Sequence, residues 1–206
     1  MITILWPALR ASLVTLVLCG LAYPLALTGL AQWIMPQQAN GSLERSADGT
    51  VIGSRLIGQQ WNGPQWFHGR LSATTRPDPD DPAKNVPAPY NAANSGAANL
   101  GPTSRALSER LQADRKALEE AQPELAGRPL PADMLTSSAS GLDPDITPDN
   151  AALQAVRVAR SRGVATADVL ALVERQVTGR GLRLFGEPRV SVLALNLALQ
   201  KAFPAP

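Results

Sequence analysis

The sequence predicts an α+β protein in two parts: one N-terminal transmembrane helix followed by one small mixed α/β domain. Arg10 is the only charge before Glu44, and the stretch between is mostly aliphatic. The middle of the chain is rich in Pro, Gly and Asn and leaves room only for short strands. Beyond about residue 103, capped amphipathic patterns recur, the signature of helices. These observations divide the chain into a short N-terminal segment (1–10), a membrane helix (11–35), a polar exit loop (36–50) and a soluble domain (51–206).

A helix from Ala11 to Trp33 would rise roughly 35 Å, enough for a hydrocarbon core of about 30 Å with some tilt. Ten Leu, Val and Ile side chains lie in 11–35, each favouring insertion by about 0.3–0.6 kcal/mol at a helix centre. Trp33 suits an interfacial anchor. The rival reading is a cleaved signal peptide, with Gly29-Leu30-Ala31 as its small-x-small site and a secreted binding protein as its product. Signal h-regions usually run about 7–15 residues, shorter than this stretch, and Leu18 precedes Cys19 where a lipoprotein signal needs a small residue. An uncleaved anchor is the preferred reading. Ser12, Thr15, Cys19, Ala22, Ala26 and Gly29 recur at spacings of three and four. Small side chains on one face let membrane helices approach closely, so these are the candidate helix-packing residues.

Composition excludes several functions. Beyond residue 43 the chain holds 18 basic and 17 acidic residues without a basic cluster, which argues against nucleic acid as a partner. Cys19 is the sole cysteine, so no intrachain disulfide forms. His68 is the sole histidine, which removes His-rich metal sites and any Ser-His triad not built on it. No catalytic or metal-ligating residues are assigned.

Thr50 to Gln60 supplies one or two short strands, with Gly53 and Gly58 at turns or bulges. Their spacing is that of a phosphate loop, but Gln59 and Gln60 stand where Lys and Ser or Thr are needed. Trp61 to Ala73 gathers aromatic residues beside His68 and Arg70 and reads as core packing. Thr75 to Pro89 is an extended surface loop, since its prolines exclude helix and interior strand. Asp78, Asp80 and Asp81 are read as its solvated face. Tyr90 to Thr103 suits turns. A helix runs from Thr103 or Ser104 to Gln122 with Leu107, Leu111 and Leu118 on its apolar face.

Pro131 to Thr136 forms a helical turn, and the Ser/Gly run after it carries hydroxyl and N–H groups able to cradle an anion or to form an ordinary turn. Thr147-Pro148-Asp149 starts a helix that ends at Gly163, with Arg157, Arg160 and Arg162 read as solvated charges favourable to the dipole. Thr166 caps the next helix, with Val169, Leu170, Val173 and Val177 inward, ending near Gly179. Gly186 to Arg189 turns into a last helix over 190–202.

These motifs resemble the KdpC family, the small subunit of the bacterial Kdp potassium-transporting P-type ATPase. The carriers are FHGRLSA (67–73), YNAANSGAANLGPT (90–103), ASGLDPDITP (139–148), VRVARSRG (156–163), LVERQVTGR (172–180) and GEPRVSVLALNLAL (186–199). Leu71, Asp145 and Ser191 stand where Pro, His and Asn are usual. The resemblance implies a single-pass protein of the inner (plasma) membrane, with its C-terminal domain extracytoplasmic. It implies a non-catalytic accessory subunit, needed for assembly and coupling of a high-affinity, ATP-driven potassium importer. Its implied partners are a channel-like potassium-binding subunit, a P-type ATPase subunit and a further small single-span subunit. The chain has no Asp-Lys-Thr-Gly motif, Walker A lysine or Thr-Val-Gly-Tyr-Gly filter, so by itself it is neither engine nor pore. No tightly bound cofactor is implied. The family is also assigned a catalytic-chaperone role through a shared ATP complex. In that alternative Ser138, Ser140 and Gly141 are the implied phosphate neighbours.

Overall fold

A computed structural model describes residues 2–204; Met1 of the expected N-terminal segment and the last two residues of the expected domain lie outside them. The chain divides into two compact units, the first ending at Ser54 and the second beginning at Arg55.

The first unit opens with α1 (Ile2–Val17), a π-helical turn (Leu18–Ala22) and α2 (Tyr23–Ile34), forming one continuous helical rod. The helix starts well before the expected Ala11. Arg10 does not end it; its guanidinium lies over the Trp6 ring, one turn away, at 5.0 Å. The stretch Thr3–Ile34 is 32 residues, roughly 48 Å of helix, long and apolar enough to cross a membrane. Pro24 accounts for the π turn. Its missing N–H and bulky ring disturb the turn before it, and the Tyr23 N–H reaches back five residues to the Leu18 carbonyl. Pro36 ends the rod, because the residue before a proline avoids the helical region, and Met35 sits at φ −140°.

The expected exit loop holds more structure than its polarity suggests. It contains α3 (Pro36–Ala39) and β1 (Leu43–Arg45), which pairs antiparallel with β2 (Val51–Ser54) through a bulge at Glu44/Arg45. Gln32 and Asn40 exchange side-chain amide hydrogen bonds of 3.2 and 3.0 Å.

In the second unit, β3 (Thr75–Pro77) and β4 (Asn85–Pro87) form a two-stranded ribbon where a loop was expected. The prolines are tolerated because each strand of a two-stranded ribbon is an edge. α4 (Arg105–Ala121) keeps no residue buried and carries four i,i+4 ion pairs, Arg105–Glu109 at 2.7 Å among them. After α5 (Ala132–Leu135) come β5 (Asp145–Ile146), α6 (Pro148–Arg162), α7 (Thr166–Gln176), β6 (Val177–Thr178), β7 (Arg189–Ser191) and α8 (Val192–Ala202). The strands form an antiparallel sheet in the order β5-β7-β6. The core includes Phe67, Ile146, Val158, Val169, Val190, Leu195 and Leu199.

Local signals explain the helices. Thr147 accepts a hydrogen bond from the Asn150 N–H at 3.2 Å, Pro148 opens α6 and Gly163 closes it at φ +67°. Ala165, not Thr166, is the N-cap of α7, and that helix stops at Gln176 because Val177 joins the sheet. Ser191 caps α8 by accepting from the Ala194 N–H, as the Asn usual there also could.

Candidate functional site

A segment without helix or strand sends Phe67 into the core, and helix side chains hold its backbone. Asn196 of α8 accepts from the Phe67 N–H and donates to the Phe67 carbonyl, both at 2.9 Å. Gln154 of α6 does the same for His68, at 2.8 and 3.0 Å. Arg157 donates to the Pro64 carbonyl at 2.6 Å and Arg162 to the Gln65 carbonyl at 2.9 Å. These side chains replace a neighbouring strand, because buried backbone N–H and C=O groups require partners. Arg157 and Arg162 are therefore buried, not solvated as expected. Burial lowers Arg157 to about 10, which leaves it charged at neutral pH. Trp66 covers Arg162, with the guanidinium 4.6 Å from the ring centroid.

A polar ladder continues from Gln154. It donates to Asn150 at 2.7 Å, and Asn150 donates to the Asp133 carboxylate at 3.0 Å. Asp133 also accepts from the N–H and hydroxyl of Thr147. His68 belongs to this frame. Its Nε2 lies 2.9 Å from the Gly63 carbonyl, a contact that calls for a proton on that nitrogen. Burial first, then the nearby Arg157 charge, lowers its pKa below the usual histidine range.

The Ser/Gly turn is sewn into its surroundings. The Gly141 and Leu142 N–H groups donate to the hydroxyls of Ser138 and Ser140, both at 3.1 Å. The Ser138 N–H goes to the Leu71 carbonyl at 2.9 Å, and the Ser140 carbonyl accepts from Gly96 N–H. The N–H groups of Ser138 and Gly141 thus already have partners within the protein, while Ser140 is exposed. Gly141 is needed here: it sits at φ +69°, and a Cβ would meet the Thr74 methyl and approach the Gly96 carbonyl to 2.9 Å. Nearby, Arg70 pairs with Asp143 at 3.0 Å, and the Tyr90 hydroxyl donates to the Arg70 carbonyl at 2.6 Å. Burial pushes Tyr90 up to about 12, with Asp143 adding to the rise.

A mostly apolar cavity of about 490 Å³ lies between α4 and this frame, bordered by His68, Leu71, Leu118, Gln122 and Arg157. The expected solvated aspartates keep local partners: Asp81 pairs with Lys84 at 2.9 Å and Asp78 accepts from the Asp80 N–H. No group of metal-ligating side chains occurs among the described residues.

In the span, Ser12, Thr15, Cys19, Ala22, Ala26 and Gly29 are all exposed. They do not share one straight face. A π turn holds one residue more than an α turn, so Ala26 and Gly29 are rotated by roughly 100° from where a straight α-helix would set them relative to Ser12 and Thr15.

The family model described as KdpC, K+-transporting ATPase, c chain, matches residues 5–201. The chain belongs to the KdpC family. It is 54% identical to the potassium-transporting ATPase KdpC subunit of Methylobacterium nodulans over 95% of each chain. It is 55% identical to the protein of the same name from Bradyrhizobium diazoefficiens, over 95% of this chain and 96% of the relative. The Rhodopseudomonas palustris protein is 54% identical over 94% of each.

In this KdpC chain the motif blocks are the parts that interlock. Residues 67–73 are gripped by 186–199 through Asn196, Pro64 and Gln65 just before them are held by Arg157 and Arg162 of 156–163, and 90–103 is tied to 139–148. Asp145, where the family usually has His, pairs with Arg189 at 2.9 Å; burial raises its pKa while Arg189 opposes the rise. Sequence reasoning passed over Asp133, Asn150, Gln154 and Asn196. Their one signal was polar residues on otherwise apolar helix faces.

Proposed function

We propose that the chain is an accessory assembly subunit of a high-affinity, ATP-driven potassium import complex. Its helix is a retained membrane anchor that packs on the other subunits, and its domain stands outside the cytoplasm at the mouth of the potassium path. The family match carries this reading, because it runs through both the span and the domain, and the relatives are named as subunits of a potassium-transporting ATPase. A wholly exposed apolar helix joined to a separately cored domain suits a part that joins membrane proteins together.

The test is co-purification with the channel-like, P-type ATPase and small single-span subunits. The wild-type chain brings them down, and deletion of residues 2–35 abolishes recovery. Recovery that survives deletion would move the main contact to the domain. Alkaline phosphatase joined to the C-terminal end is active only if that end lies outside the cytoplasm; an inactive fusion overturns the orientation. A mature chain beginning at Gln32 would make it a secreted protein. ATP added to the full chain leaves its Tm unchanged, since ligand binding to the folded state would raise it.

A further inference from the structure

The hairpin joining β6 to β7 exposes three large apolar side chains. Leu182, Leu184 and Phe185 are 89%, 70% and 65% exposed, the three most exposed large apolar side chains in the second unit. Arg183 lies among them. The tip is fixed in shape. Gly181 and Phe185 exchange backbone hydrogen bonds, both at 2.8 Å, and Leu184 N–H donates to the Gly181 carbonyl at 3.0 Å. Leu182 and Arg183 hold φ of +50° and +63°, a region that side-chain-bearing residues rarely enter. Arg180 is tied across the legs to Glu187 at 2.6 Å. Among the described residues no carboxylate pairs with Arg183.

We infer that the loop from Arg180 to Gly186 is an anchor that docks on another subunit of the potassium-transporting ATPase, an inference that rests on the assembly role proposed above. The receiving surface is an apolar socket with a carboxylate at its rim for Arg183. An aromatic ring and an arginine side by side are what interface hot spots favour, and a preformed tip loses little conformational freedom on docking. A lipid surface fits less well: recognition of anionic headgroups draws on clusters of about four to eight basic residues, and this tip has one uncompensated cation. A second copy of the same tip fits less well too, because a two-fold contact sets each patch against itself and would bring two unpaired Arg183 together.

The test uses the full chain, tagged and co-produced with the other subunits of its complex. Wild-type chain that recovers no partner would overturn the assembly role itself. With wild-type recovery in hand, Leu184→Ser combined with Phe185→Ser lowers partner recovery at least about tenfold, and Arg183→Glu lowers it as well. Thermal unfolding of the variants stays at the wild-type value, which separates lost docking from lost folding. Undiminished recovery with a folded variant overturns the inference. A photoreactive benzoylphenylalanine at position 182 reports the neighbour directly. An adduct with another subunit supports the inference; adducts only with lipid, or only with a second copy of this chain, overturn it.

Discussion

Residues 64–68 and 180–186 both lack regular secondary structure, yet their backbones are satisfied in opposite ways. In the first, helix side chains bind the chain: Asn196 and Gln154 take both groups of Phe67 and His68, and two arginines take the carbonyls before them. In the second, the loop binds itself and turns its apolar side chains to solvent. Irregular backbone held by distant side chains belongs to the fold. Irregular backbone closed on itself is free to serve a surface.

Breaking the first region has the larger effect on stability. Asn196→Ala leaves a buried N–H and a buried carbonyl unpaired, at about 1–3 kcal/mol each. The Tm of the full chain in detergent, followed by near-UV circular dichroism, falls by roughly 5–15 °C. A fall under about 2 °C would show that the amide bonds do not hold the segment. Gly141→Ala comes next, at about 1–3 kcal/mol, from strained backbone and from contact with the Gly96 carbonyl. Acid acts on the same region more gently. His68 has its folded pKa below its unfolded value of 6.5. As pH falls through 6.5, the unfolded chain takes up a proton that the folded chain resists, so stability drops. Urea midpoints measured stepwise between pH 7.5 and 5 show this decline for wild type, and His68→Gln flattens it. Leu182→Ser, in the second region, moves stability by less than about 0.5 kcal/mol.

The helices were legible because their signals are local: Thr147-Pro148 and Gly163 bound α6, and Pro123 follows α4. The clamp was not legible, since Asn196 and Phe67 meet across 129 residues and no short-range pattern encodes the pairing. Arg157 and Arg162 misled for a physical reason. Basic residues in the C-terminal half of a helix read the same in sequence whether they stay in water or reach a distant carbonyl, as Arg157 and Arg162 do at Pro64 and Gln65. The tip drew no expectation, because its positive φ falls on Leu182 and Arg183 instead of a glycine, so no turn residue marks it. The stripe of small residues assumed a strict 3.6 period, which the π turn before Pro24 interrupts.

The π turn at Leu18–Ala22 has a consequence for anyone mapping the span. A tryptophan or leucine scan along Ser12 to Gly29 will not fit one sine wave. Sensitivity will follow one phase up to Val17 and resume from Tyr23 with the phase reset by about one residue, so the two halves of the helix can lean on different neighbours. Paired changes such as Ala22→Leu with Ala26→Leu then probe the end of the π turn and the helix after it, and Ser12 with Thr15 must be probed on its own.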